Sequence, residues 1–260
     1  MKITFHKYQG TGNDFILIDN REHVFPAEDF GLVAKLCDRK FGIGADGLIL
    51  LENDPAADFS MTYYNSDGNL SSMCGNGARC IVHFARGLGV IETSASFEAV
   101  DGLHAASIKE DIVDLEMISV SDIELEPESC FMNTGSPHYS VWRSEIDQIE
   151  LNAEAHKIRY NERFKSEGTN VNFLNWADDG VHMRTYERGV EGETLSCGTG
   201  MVAAALYASL SAKLGDEESC KIYTKGGQTE VRFHRNGNNS FGQIHLIGPA
   251  IFVFTGSIDV

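Results

Sequence analysis

Two cysteines stand in matching frames, Met73-Cys74-Gly75-Asn76-Gly77 and Ser196-Cys197-Gly198-Thr199-Gly200. Each frame reads Cys-Gly-x-Gly and runs straight into a helical pattern. After Cys74, apolar residues recur at Ile81, Phe84, Ala85 and Leu88, the one-face spacing of a helix. After Cys197, Met201-Val202-Ala203-Ala204-Ala205-Leu206 is strongly helix-forming. The first N–H groups of a helix have no partner within it, and with the helix dipole they attract anions. The same field favours a thiolate, the reactive form of cysteine. A single cysteine in such a frame is most often a small buried hydrophobe. Two of them, one in each half of the chain, fit a site with a thiol on either face of a substrate carbon. Such a site can take a proton from one face and return one to the other.

Other segments are too polar and too glycine-rich for a core. Gly10-Thr11-Gly12-Asn13-Asp14-Phe15 lies between two strand patterns, and Asn65-Ser66-Asp67-Gly68-Asn69 precedes Cys74. Taken alone, both read as turns. Gly168-Thr169-Asn170-Val171-Asn172-Phe173 opens a strand, and its asparagines offer donor and acceptor to a zwitterion. Tyr186-Glu187-Arg188-Gly189 lies shortly before Cys197. An exposed Glu–Arg neighbour pair is ordinarily solvated and worth little. Here the carboxylate suits an ammonium, and the guanidinium fork suits a carboxylate. Gly135-Ser136-Pro137-His138 places one histidine beside a proline turn, a partner for a thiol; His6, His83 and His245 read as structural.

Strands at Ile3–Tyr8, Phe15–Asp19, Leu48–Glu52 and Phe59–Tyr64, with a helix over Asp29–Lys40, lead to the first cysteine helix. Ser96–Val100, His104–Lys109 and Ile112–Ile118 then read as an antiparallel meander. The second half repeats the plan. Strands at Tyr139–Trp142, Val171–Trp176 and His182–Tyr186, with a helix at Ala153–Arg159, precede the second cysteine helix. Strands at Lys221–Thr224, Glu230–His234, Gln243–Ile247 and Ile251–Thr255 follow. This is a duplication of architecture with little shared sequence. It predicts an α+β fold of two barrel-like domains, each a mainly antiparallel sheet around a central helix. The acidic stretch Ser119–Ser129 is the expected crossover. The expected halves are 1–117, joined by the C-terminal strand 250–260, and 118–249.

The 260 residues carry 38 acidic and 21 basic side chains, a formal charge of −17. No basic stripe is available for nucleic acid, and anionic membrane surfaces are disfavoured. The first residues lack the apolar core of a signal peptide, and no apolar run reaches membrane-spanning length. The six cysteines form no Cys-x-x-Cys pair, so neither a structural zinc site nor a disulfide framework is expected. A cytoplasmic protein without metal is the expectation.

Taken together, these segments resemble the diaminopimelate epimerase family over nearly the whole chain, in the same order. The resemblance rests on Gly12-Asn13-Asp14-Phe15, Asn65-Ser66-Asp67-Gly68, Cys74-Gly75-Asn76-Gly77-Ala78-Arg79-Cys80, Pro137-His138, Asn170-Val171-Asn172, Tyr186-Glu187-Arg188-Gly189 and Cys197-Gly198-Thr199-Gly200. It implies a cofactor-independent epimerase interconverting L,L- and meso-2,6-diaminopimelate, with the active site in a cleft between two pseudo-symmetric halves, and a homodimer. It further implies Cys74 and Cys197 as the two acid–base groups, tuned by His138 and Glu187. The reacting α-carboxylate would sit on the N–H groups of Gly75, Asn76, Gly198 and Thr199. Asn13, Asn65, Asn170, Glu187 and Arg188 would hold the rest of the substrate. Two positions depart from the pattern: Ser136 stands where many members have asparagine, and Gly47 where some have glutamine.

Proline racemases and hydroxyproline epimerases share the two-cysteine plan but typically carry histidine where this chain has Asn76. They also need no clamp for a distal amino-acid end. Phenazine-biosynthesis isomerases generally lack the cysteine pair. A thiol oxidoreductase calls for Cys-x-x-Cys, and a cysteine hydrolase leaves the second frame unexplained. A non-catalytic binder of a zwitterionic amino acid would use the same clamp without turnover.

Overall fold

Alternating polar and apolar residues make strands the commonest element of this chain, and the computed structural model describes residues 2–71, 73–237 and 239–260. Its α-helices are α1 (Phe30–Cys37), α2 (Gly75–Gly87), α3 (Leu151–Arg159) and α4 (Gly198–Leu210). The chain divides into two units, Met1–Leu115 with Gly248–Val260, and Glu116–Ile247. Each is a curved mixed sheet with one cysteine-capped helix against it.

In the first unit, Lys2–Gly10 and Asn13–Asp19 form an antiparallel hairpin. Its two turn residues both have positive φ, Thr11 at 50° and Gly12 at 81°. That turn geometry matches the natural twist of the flanking strands. Asn13–Asp19 runs parallel to Gly47–Glu52, which pairs antiparallel with Phe59–Asn65. Phe59–Asn65 touches Ser94–Ala99 in parallel only at Phe59 and Ser60, so the two strands diverge. Gly102–Lys109 and Ile112–Met117 continue antiparallel. Ile251–Asp259 returns to pair antiparallel with Lys2–Gly10. Helix α2 packs on strands from both ends of this order, including Lys2–Gly10, Gly47–Glu52 and Gly102–Lys109.

The second unit repeats the succession. Ser129–Asn133 and Pro137–Trp142 are antiparallel, Pro137–Trp142 and Asn170–Ala177 parallel, and Asn170–Ala177 and Gly180–Glu187 antiparallel. Gly180–Glu187 meets Ser219–Thr224 in parallel at Val181 and His182 alone. Gly227–Arg235 and Phe241–Pro249 follow antiparallel. The short helices α1 and α3 fall between the second and third strands of each succession. The cysteine helices α2 and α4 fall between the fourth and fifth. Helix α4 is apolar on every side and buried from Gly198 to Ser209.

The structure departs from expectation in short elements. Helix α1 ends at Cys37, because Asp38 turns extended and its carboxylate accepts the N–H groups of Lys40 and Phe41. Within the expected crossover, Glu124–Leu125 pairs with Ser129–Asn133, and Gly192–Thr194 adds to the strand ending at Glu187. Two- and three-residue strands carry too little alternation to be read. Parallel pairing was likewise invisible, since parallel and antiparallel strands share the same local pattern. Among the described residues, no helix is long and apolar enough to cross a membrane.

Candidate active site

Cys74 and Cys197 are the N-cap residues of α2 and α4, with nearly superposable backbones: φ −117°, ψ 115° and φ −130°, ψ 114°. Each cap carbonyl accepts the first helical hydrogen bond, from Ala78 at 2.8 Å and from Met201 at 2.9 Å. The N–H groups of Gly75, Asn76 and Gly77, and of Gly198, Thr199 and Gly200, therefore belong to the helix turns that have no carbonyl of their own helix to bond. Glycine in the third position lets neighbours close in. A Cβ on Gly77 would lie 2.9 Å from Ile49 Cδ1. One on Gly200 would lie 3.1 Å from both Asn172 Oδ1 and His138 Cε1. Cys74 is half-buried and Cys197 is buried.

Around Cys74, two obligate partners fix a chain of amides. The Asn13 Nδ2 group donates to Asp46 Oδ2 at 2.7 Å, so its Oδ1 turns inward. That oxygen accepts from Asn76 Nδ2 at 3.2 Å and faces Cys74 Sγ at 3.7 Å. Arg79, which can only donate, reaches Asn76 Oδ1 at 3.0 Å and so sets the Asn76 amide the same way. Arg79 also reaches Thr11 Oγ1 at 3.4 Å. Thr11 is β-branched and held at positive φ, a strained backbone of the sort that persists where surroundings over-determine it. Asp14 and Asp46 are shared by Arg39, and Lys7 pairs with Asp14 at 2.7 Å. Those cations hold the Asp14 carboxyl below its usual range against the opposing effect of burial.

Around Cys197, the Sγ lies 3.5 Å from Thr199 Oγ1, which lies 2.8 Å from His138 Nε2. The other ring nitrogen of His138 meets Asn172 Nδ2 at 3.2 Å. Thr185 Oγ1 donates to Asn172 Oδ1 at 3.0 Å and keeps that amide oriented. With Asn172 donating to Nδ1, the imidazole proton sits on Nε2 and faces the Thr199 hydroxyl; between that hydroxyl and the Cys197 sulfur either atom can donate. Burial pushes His138 down to about 3, so its ring is neutral. The sequence reading expected His138 to tune a thiol; the geometry gives it a path to Cys197 through Thr199.

Asn170 Nδ2 donates to Ser136 Oγ at 3.0 Å and to the Pro137 carbonyl at 3.1 Å, while its Oδ1 accepts the Arg188 N–H at 2.8 Å. Ser136 thus supports Asn170 directly. Glu187 is half-buried at its strand end, and the exposed Arg188 side chain donates to the Glu167 carbonyl at 2.9 Å. Glu191 holds this turn: it accepts from Gly189 N–H, Tyr160, Tyr186 and Arg159 at 2.8–3.2 Å. Asn65 is exposed and closes a turn with Asn69. Gly47 stands opposite it in the strand pair, and a Cβ there would meet Tyr63 and the Tyr64 carbonyl at 2.5 Å. That close packing leaves no room for a side chain at Gly47 without movement of Tyr63.

Sequence reasoning passed over Arg79, Thr11, Thr185 and Glu191. Only Arg79 had a signal, a charge three residues beyond Asn76 on a helix otherwise buried at that level. Among the described residues, no cluster of histidine, cysteine, aspartate or glutamate could hold a metal ion.

The family model described as Diaminopimelate epimerase matches residues 5–120 and 130–253. A diaminopimelate epimerase of Flavobacterium psychrophilum is 49% identical over 97% of this chain and 99% of its own. One of Chlorobaculum tepidum is 44% identical over 96% and 99%. Among solved structures, a phenazine biosynthesis protein of the PhzF family from Bacillus anthracis covers 100% of both chains with a TM-score of 0.75 at 14% identity. That likeness is one of fold.

Proposed function

The chain belongs to the diaminopimelate epimerase family of amino-acid isomerases, and on that premise we propose that it interconverts L,L- and meso-2,6-diaminopimelate without a cofactor, on the route to lysine and peptidoglycan precursors. The observation that carries the reading is the pair of cysteines with matching N-cap geometry, each followed by a Gly-x-Gly first turn. One sulfur, as thiolate, removes the α-proton; the other, as thiol, returns a proton to the opposite face. The roles swap with direction, so the two titrate as a coupled pair.

The α-proton of an amino acid is weakly acidic, and negative charge builds on the carboxylate side as it leaves. The N–H groups of Gly75 and Asn76 and of Gly198 and Thr199 stabilise that charge, aided by two helix dipoles. Asn13, Asn65 and Asn170 bind the remaining polar groups. Arg188 takes the distal carboxylate and Glu187 the ammonium, with Glu187 also acting on a thiol. His138 acts on Cys197 through Thr199. The protein works in the cytoplasm as a homodimer. Consecutive exposed Phe252, Val253 and Phe254 on the C-terminal strand support the self-association.

Proton exchange in deuterated buffer with reductant tests the reading, with L,L-diaminopimelate and L-proline offered in parallel. Deuterium should enter one α-position of diaminopimelate as the meso isomer appears, with proline untouched. Cys74→Ala and Cys197→Ala should each lower turnover on the order of 10²–10⁴-fold. Near-normal turnover in either variant would remove the two-base mechanism. Exchange into proline alone would remove the substrate.

A further inference from the structure

Arg79 is fully buried on α2, yet among the described residues its hydrogen bonds go to neutral acceptors: Asn76 Oδ1 at 3.0 Å, Thr11 Oγ1 at 3.4 Å, and the Gly75 and Pro249 carbonyls at 3.5 Å. A guanidinium stays protonated in proteins, and a buried cation without an anion is costly. The ionisable groups that act on Arg79 are two thiols, Cys80 and Cys74. Cys80 is itself completely buried, and desolvation drives its thiol upward, so it remains neutral. Cys74 is half-buried and sits at the helix start, next to the Gly75 whose carbonyl the guanidinium touches.

We propose that Arg79 is a positioning residue that supplies the fixed positive charge against which Cys74 ionises, a role resting on the two-thiol reading above. Other charges on this side are already compensated: Asp14 by Lys7 and Arg39, and Asp46 by Arg39. Asn13 Oδ1, 3.7 Å from the sulfur, favours the protonated thiol. A neutral carbonyl at that distance is weaker than a full charge in the same dry surroundings. The role is specific to one sulfur. Five residues beyond Cys197, where α2 has Arg79, α4 carries the buried Val202. On that side the Thr199 hydroxyl lies 3.5 Å from the sulfur.

The test is alkylation by iodoacetamide, with the rates at Cys74 and Cys197 followed separately by peptide mass spectrometry as pH is raised, without substrate. In the unsubstituted protein Cys74 should ionise with a midpoint below the ordinary thiol value of about 8.5. Arg79→Met and Arg79→Gln should each raise that midpoint by about one to three pH units and not raise that of Cys197. Arg79→Lys, which keeps the charge, should restore it. A Cys74 midpoint at or above the ordinary value in the unsubstituted protein would overturn the proposal, as would an unchanged midpoint in either neutral variant that folds. No turnover is read, so failure to epimerise diaminopimelate would sink the substrate assignment and leave these midpoints to decide the role of Arg79.

Discussion

His138 lies wholly inside the second unit, with both ring nitrogens engaged and its ionisation pushed down to about 3 by burial. Two consequences follow from a ring that stays neutral. The imidazole passes no charge to Cys197; in the proposed mechanism it acts by holding the Thr199 hydroxyl beside the sulfur. Thr199→Val should therefore lower kcat more than it raises KM, and Thr199→Ser should recover most of the loss, as steady-state kinetics would show. The second consequence is for stability. The unfolded chain protonates this histidine below about 6.5, while the folded protein does not until about 3. The stability associated with His138 is thus complete above pH 6.5 and declines as pH falls toward 3, by at most about 1.4 kcal/mol per pH unit. Urea titrations should show a shallower loss between those limits in His138→Gln than in the unsubstituted protein. At this scale the sequence picked out candidate residues and was silent on how they connect. The Pro137-His138 turn, the Cys197 frame and the Asn170-Val171-Asn172 run were conspicuous, but Asn172 read as a contact for a zwitterion rather than a support for the ring, and Thr185 looked like an ordinary strand residue.

Element by element, the strands were readable because alternation and β-branched residues mark them, and the cysteine helices because apolar residues recur at helical spacing after Cys74 and an alanine-rich, helix-forming run follows Cys197. What escaped was pairing. The parallel contact between Asn13–Asp19 and Gly47–Glu52 depends on α1 crossing between them, and nothing local encodes it. Glycine inside a helix lowers its intrinsic propensity, and at Gly200 packing opposes its replacement. Gly200→Ala gains up to about 1 kcal/mol of helix propensity. Its new methyl would sit 3.1 Å from Asn172 Oδ1 and His138 Cε1, forcing both to shift by tenths of an ångström. Melting should show little net change while turnover falls about tenfold or more, since small displacements of positioned groups are expensive in rate. An unaltered kcat would mean that the amide and imidazole need no exact placement. The turn at Glu187–Arg188 is governed in the same way. Burial raises the Glu191 carboxyl, but Tyr160, the Gly189 N–H, Tyr186 and Arg159 outweigh it and hold the group down to about 2. Glu191→Gln weakens that clamp, and KM should rise while kcat changes less.

The whole molecule is a duplicated plan whose halves share topology and the cysteine frame but little else. The repeated succession of strands around a helix signalled the α+β pair of sheet-rich units, and the two Cys-Gly-x-Gly strings marked the matching point in each half. The two caps share their geometry while their surroundings differ: Asn76 and Arg79 lie around Cys74, and Thr199 and His138 around Cys197. Charge and exposed apolar surface act at this scale too. A chain of net charge −17 repels its own copies. It nonetheless exposes Phe252, Val253 and Phe254 at 44%, 52% and 45% on a strand nine residues long. If that strand is the contact of the proposed homodimer, apolar burial drives association and long-range repulsion opposes it. Salt screens the repulsion, with a Debye length falling from about 30 Å at 0.01 M to about 8 Å at 0.15 M. Sedimentation velocity should therefore show tighter association at the higher salt. Phe254→Asp puts a further charge into the apolar run without touching either cysteine helix start, and it should yield monomer at both salt concentrations. A dimer that persists in this variant, or weakens as salt rises, would place self-association on some other, charge-paired surface.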